Sequence, residues 1–172
     1  MKCLCLILLL SCCGREIARE NAHEDEPIEV NMNLEGMARP KIMRCKSKHG
    51  GDEAQYTMVV YVDKDACPTC FVSDLAEWNI LMQTCKREKL PLRFVFIFGI
   101  PSTRKSVFMA TLSSSSISDI SYVDVKGVFV KRNPWITKDR ERHVFLISQG
   151  RKPVFLPTPF DVERIKMEIH AK

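Results

Sequence analysis

The stretch Cys67-Pro68-Thr69-Cys70 places two thiols one helical turn apart, directly after the apolar run "TMVVYV". Three chemistries fit that spacing. The sulfurs can reach each other and cycle between dithiol and disulfide. Two close thiolates can form half of a tetrahedral metal site. Two small apolar side chains can also simply be buried, since cysteine is among the most buried residue types.

The other metal-ligating residues argue against the second option. Of eight cysteines, Cys3, Cys5, Cys12 and Cys13 crowd the first residues, and Cys45 and Cys85 are isolated. A four-cysteine zinc site normally presents a second close pair. His23, His49, His143 and His170 also form no close pair, so no metal and no cofactor is expected. Four cysteines outside the first residues are too few to staple a chain of 172 residues.

Redox work requires a thiolate, and a helix N-terminus stabilises one through unpaired N–H groups and the helix dipole. The sequence supplies that setting. Thr57 to Asp63 is almost continuously apolar and β-branched, the pattern of a strand covered on both faces. From Cys67 the period changes: Phe71, Leu75, Trp78, Met82 and Cys85 form one apolar stripe on a predicted helix closed by Pro91. Pro68 suits its first turn. Cys67 is then expected at the exposed end, with Cys70 facing the core. Cys85, on the stripe, reads as a core thiol.

Leu92 to Gly99 reads as a second buried strand, and "PSTRKSVFMATL" as a helix capped by Ser102 or Thr103. The run Ser113 to Ser116 reads as a loop or helix end. Strand-like residues surround a turn at Lys126-Gly127. "HVFLIS", "QGRK" and "PVFL" predict a hairpin with Gly150 in its turn, and "FDVERIKMEIH" a closing amphipathic helix. One short strand is expected near Ile28 to Met32. Strand-helix-strand order implies right-handed parallel pairing.

The first residues carry a different signal. "MKCLCLILLLSCC" has one positive charge, Lys2, and a short apolar run, too short to span a bilayer. "LLSC" resembles a bacterial lipobox with Cys12 as the lipidated residue. Residues 1–11 are then a lipoprotein signal peptide, 12–55 a tether and N-terminal extension, and 56–172 the main domain. Residues 15–26 are charged and nearly devoid of apolar content, as a tether would be. The formal charge of +5 is mild and spread along the chain, so no nucleic-acid footprint is present.

With "CPTC…LAEWNILM" and "HVFLISQGRKPVFL", the chain resembles the thioredoxin superfamily, and more narrowly its envelope-anchored bacterial lipoproteins. The resemblance covers Thr57 to His170. It implies an α/β, thioredoxin-like three-layer sandwich: a mixed sheet with a parallel start, a C-terminal antiparallel hairpin and helices on both faces. It also implies thiol–disulfide exchange on envelope proteins, as reductase or isomerase rather than oxidase. Cys67 would attack and Cys70 resolve, with Pro68, Thr69, Arg142 and His143 on the substrate surface and an unidentified electron donor upstream. Three positions depart from the family pattern. Ala66 stands where Trp is common, Tyr61 where many members bury a carboxylate, and Arg142-His143 where the family has a cis-proline. Two alternatives stay open: a non-enzymatic binding or adaptor lipoprotein, and a copper chaperone using both thiolates and His143.

If Cys12 carries the anchor, mature protein from its native host partitions into detergent with acyl chains attached. Cys12→Ala abolishes that and leaves the domain folded; several chains are needed for a firm hold. Unacylated native protein in the aqueous phase would refute the anchor.

Overall fold

The computed structural model describes residues 28–41, 54–73, 75–136, 142–148 and 152–171. Cys12, the charged tether, Cys45 and Gly150 lie outside the described residues. The architecture is built on β1 (Tyr56–Val62), every residue of which is buried. On one side β1 pairs in parallel with β2 (Leu92–Gly99) along its whole length, from Tyr56 opposite Leu92 to Val62 opposite Phe98. On its other side it pairs antiparallel with β4 (Val144–Ser148). β3 (Ser121–Asp124) adds in parallel beyond β2, and β5 (Val154–Phe155) antiparallel beyond β4. The sheet order is β3-β2-β1-β4-β5, a mixed α/β sheet with a parallel start and a C-terminal antiparallel pair, as the sequence predicts.

The helices divide between the two faces. The steps β1 to β2 and β2 to β3 run the same way across the sheet, so right-handed crossovers carry their helices onto one face. There Met58, Val60, Val62, Phe94, Phe96 and Phe98 meet α1 (Pro68–Ser73), α2 (Ala76–Arg87), α3 (Lys105–Ser113) and α5 (Val162–His170). The alternate residues Val59, Tyr61, Ile97 and Phe145 meet Phe129 of α4 (Val128–Arg132) and residues 30–37 on the other face. The result is three layers, an arrangement compatible with a thioredoxin-like sandwich.

Side-chain bonds fix the helix ends. Asp161 caps α5 by accepting from Arg164 N at 3.1 Å. Tyr56 Oη donates to the Ile169 carbonyl at 2.9 Å, tying the last turn of α5 to the start of β1. Lys166 bridges Glu163 on its own helix and Glu88 beyond α2. Hydrogen bonds to these two carboxylates hold its ammonium above the ordinary lysine value.

Four expectations are corrected. The helix from Cys67 to Cys85 is two helices, broken at Leu75, whose φ of −94° and ψ of 5° are not helical. The Ser73 hydroxyl donates back to the Thr69 carbonyl at 3.0 Å, a bond that bends helices. α3 is not capped by Ser102 or Thr103; those residues form a 3-10 turn opened by the Pro101 carbonyl, which accepts from Arg104 N at 3.0 Å. The residues after Gly127 are helical, because the buried Asp124 carboxylate accepts from Val128 N at 2.8 Å and Phe129 N at 2.7 Å. Gly127, at φ 64°, makes the left-handed step into α4. Residues 28–32 form no strand: Asn133 engages Asn31 N and O at 2.7 and 3.1 Å, and Trp135 Nε1 donates to the Glu29 carbonyl at 3.1 Å. Sheet-like pairing comes instead at Ala38, bridged to Val123. The serine run ends α3, with Ser113, Ser114 and Ser115 each donating back to a helix carbonyl.

Trp78 is 5% exposed, edge-on to Phe96 with centroids 5.4 Å apart. Trp78→Ala is expected to lower unfolding free energy by roughly 3–5 kcal/mol, the usual cost of deleting a large core aromatic. Chemical denaturation measures it, and a change below about 1 kcal/mol would mean the ring carries little of the core.

Candidate functional site

The chain leaves β1 at Val62, turns through Asp63 to Ala66 and enters α1. Asp63 builds the turn: its carboxylate accepts from Asp65 N at 2.8 Å and its carbonyl from Ala66 N at 2.9 Å. Gly99, at the end of β2, lets the turn close overhead. A Cβ there would lie 3.1 Å from Tyr61 Oη and 3.2 Å from Lys64 N. The Cys67 carbonyl accepts from Phe71 N at 3.1 Å, starting α1.

Cys67 and Cys70 are joined as a disulfide, with Cα atoms 5.3 Å apart. Both are exposed, which corrects the expectation that Cys70 faces the core. The inward positions of α1 are Pro68 and Val72, followed by Leu75 after the break. This rotation turns both sulfurs outward. It also buries Pro68, which therefore presents no substrate surface, whereas Thr69 is exposed.

Beside the disulfide lies an open groove of about 570 Å³. Cys67, Cys70 and Ala66 line it together with Phe71 and Trp78, the more enclosed rings and so its floor, and with the exposed Phe160. Asp65 and Glu77 supply its charged groups. Phe160 is 40% exposed and meets the Trp78 ring edge-on at 4.8 Å. Sequence reasoning missed Phe160 as a site residue; the signal was an aromatic set among Pro157, Pro159 and Thr158, where a loop rather than a helix was due.

Arg142 and His143 are not among the groove's lining residues. The Arg142 guanidinium lies 5.7 Å over the Phe155 ring. His143 is buried, its carbonyl accepts from Tyr61 N at 2.8 Å, and its ring stands edge-on to Tyr61 at 5.3 Å. No cis peptide bond occurs among the described residues.

Tyr61 packs on Phe129 and His143, on the face opposite α1. Its hydroxyl lies 3.5 Å from Asp63 Oδ2. Burial, and then the Asp63 and Asp124 charges, push the phenol well above its ordinary value, so it stays protonated at neutral pH.

Among the described residues no group of three or more histidine, cysteine or acidic side chains is arranged to hold a metal ion, and no helix is long and apolar enough to cross a membrane. No family model, curated protein or solved structure matches the chain.

Cys85 is the one free cysteine among the described residues, and it lies in the core away from the groove. Burial first, then the Glu88 charge, raises its pKa from 9.0 to about 11. The unfolded chain releases this proton sooner than the folded one. Stability is therefore intact below pH 9 and falls as pH approaches 11. The loss expected from this thiol is about 2 kcal/mol. Denaturation of wild type and Cys85→Ala across that range checks it: the variant starts less stable but falls less steeply. Parallel slopes would exclude a Cys85 contribution.

Proposed function

We propose that this chain carries out thiol–disulfide exchange with protein substrates through Cys67 and Cys70, as a thioredoxin-like protein held at the cell envelope by a lipid on Cys12. The observation that carries this reading is the solvent-exposed disulfide at the start of α1, at the carboxyl end of the central strand. A purely structural bridge gains little from being placed in the open beside a groove.

In the reducing direction, the Cys67 thiolate attacks one sulfur of a substrate disulfide. A Cys67–substrate bond forms, the substrate S–S bond breaks and one substrate thiolate leaves. The Cys70 thiolate then attacks the Cys67 sulfur, re-forming the bridge and releasing the second thiolate. The substrate gains two electrons and the pair loses two; a dithiol donor returns the pair to its reduced form. Cys67 takes the attacking role because it precedes α1, where the first-turn amides favour its anion.

A binding role without turnover is favoured by one observation: at Tyr61, where the family that the chain resembles often has a proton-managing carboxylate, a buried phenol is held protonated. Cysteine variants separate the readings. With an insulin or model-disulfide assay, Cys67→Ser is expected to reduce exchange to background. Cys70→Ser is expected to accumulate mixed disulfides with envelope proteins. If neither substitution changes exchange or trapping, the bridge is structural and the binding reading replaces this one.

A further inference from the structure

We infer that the groove between the disulfide and Phe160 is a substrate-reading pocket. It takes a large apolar side chain of a polypeptide whose reacting cysteine is flanked by lysine or arginine. The inference rests on the exchange reading above and adds to it the class of substrate.

Three observations carry it. The first is position. Cys67 and Cys70 line the same depression as Phe71, Trp78 and Phe160. An extended polypeptide advances about 3.3 Å per residue, so a residue two positions from a cysteine bonded to Cys67 lies about 7 Å from it, within reach of a groove that Cys67 itself lines. That distance suits a residue two positions from the reacting cysteine rather than a remote part of a partner.

The second is the apolar surface left uncovered. Phe160 is 40% exposed although Trp78 beneath it is buried. The floor is anchored: Phe71 meets Trp78 at 5.8 Å and Phe98 at 5.6 Å, and Trp78 meets Phe96 at 5.4 Å. A rigid aromatic floor with one open ring fits an inserted side chain and loses little order on binding. The other large exposed apolar residues, Ile80, Val107 and Met167, do not line the groove.

The third is charge. The chain as a whole carries +5, yet the charged residues lining the groove are Asp65 and Glu77. Neither has an ion-pair partner among the described residues. Both are exposed. Two unpaired carboxylates beside an aromatic pocket, on an otherwise basic chain, favour a cation on the incoming polypeptide. They also disfavour acidic segments, so selection works by repulsion as well as attraction.

Synthetic peptides provide the test. Each contains one cysteine, disulfide-linked to a chromogenic aryl thiol, with Trp or Ala two residues away and Lys or Glu adjacent. Full-length protein, reduced beforehand and freed of reductant, is mixed with each in a single turnover. Cys67 attacks the peptide sulfur, the aryl thiolate leaves and is read by absorbance, and Cys70 then releases the peptide thiol. The Trp/Lys peptide is expected to react about tenfold more efficiently than Ala/Lys, the scale of filling an apolar pocket. It is expected to exceed Trp/Glu by about fivefold, a margin that shrinks in high salt.

Phe160→Ala is expected to erase the Trp preference. The pair Asp65→Asn and Glu77→Gln is expected to erase the Lys preference while leaving the Trp preference in place. The aryl disulfide without peptide reports exchange alone. Normal exchange on it with equal rates on all peptides would overturn the pocket and leave the exchange reading standing. If the aryl disulfide is not reduced at all, the exchange reading fails. In that case binding of the same peptides with serine for cysteine, measured by calorimetry, still decides the pocket. Tighter binding of Trp/Lys, lost in Phe160→Ala, supports it; no discrimination overturns it.

Discussion

Everything near the disulfide depends on β1 being hydrogen-bonded on both edges and covered on both faces. Seven consecutive buried residues between a parallel and an antiparallel neighbour leave that strand no freedom of register. A slip of one residue would exchange Val60 and Val62 with Val59 and Tyr61 between two different cores. The fixed register decides where the chain emerges. It leaves at the carboxyl end of the parallel strands, the edge at which open α/β sheets generally hold their ligands. Cys67 is delivered there by a four-residue turn that needs only the Asp63 carboxylate and the missing side chain of Gly99.

The same strand separates two environments with different tasks. On the face bearing α1, aromatic rings run in contact from Phe108 through Phe98 and Phe96 to Trp78 and out to Phe160. Burial along that chain stabilises the fold, and its last ring reaches solvent beside the sulfurs. On the opposite face the packing is completed by residues 30–37, held by polar bonds from Arg132, Asn133 and Trp135 rather than by a strand ladder. Those residues belong to the domain's second core, so truncation at Tyr56 would uncover it.

The sheet was legible because it rests on composition alone. The apolar runs of β1 and β2 have no solvent face, and period and length identify such strands without knowledge of their neighbours. The position of the cysteine pair between the first strand and a helix was legible for the same reason. What escaped depends on contacts distant in sequence or on a single side chain. Val128, Phe129 and Val130 are strand formers, but two bonds from Asp124 outweigh that preference. Asn31 looks like a residue of an edge strand until Asn133, far along the chain, takes its backbone groups. The apolar stripe from Phe71 to Cys85 is real, yet periodicity cannot register a break at Leu75 that preserves the inward face. The exposure of Cys70 follows from the inward face of α1, which is Pro68 and Val72.

The exposure of Cys70 and the phenol of Tyr61 bear on one question, where a thiol proton would go. A resolving thiol buried beneath its partner has no access to water, so a nearby carboxylate must accept its proton. Here Cys70 is exposed, and the buried phenol of Tyr61, six residues before Cys67, stays protonated. On the proposed exchange reaction, water takes the Cys70 proton directly and no internal base is required. Burying Cys70 while keeping Tyr61 would leave that proton without an acceptor. A carboxylate in place of Tyr61 would put a charge among Phe129, His143 and Asp124. The geometry thus sets an apolar, hydrogen-bonded support behind the strand and an open pair of sulfurs in front of it.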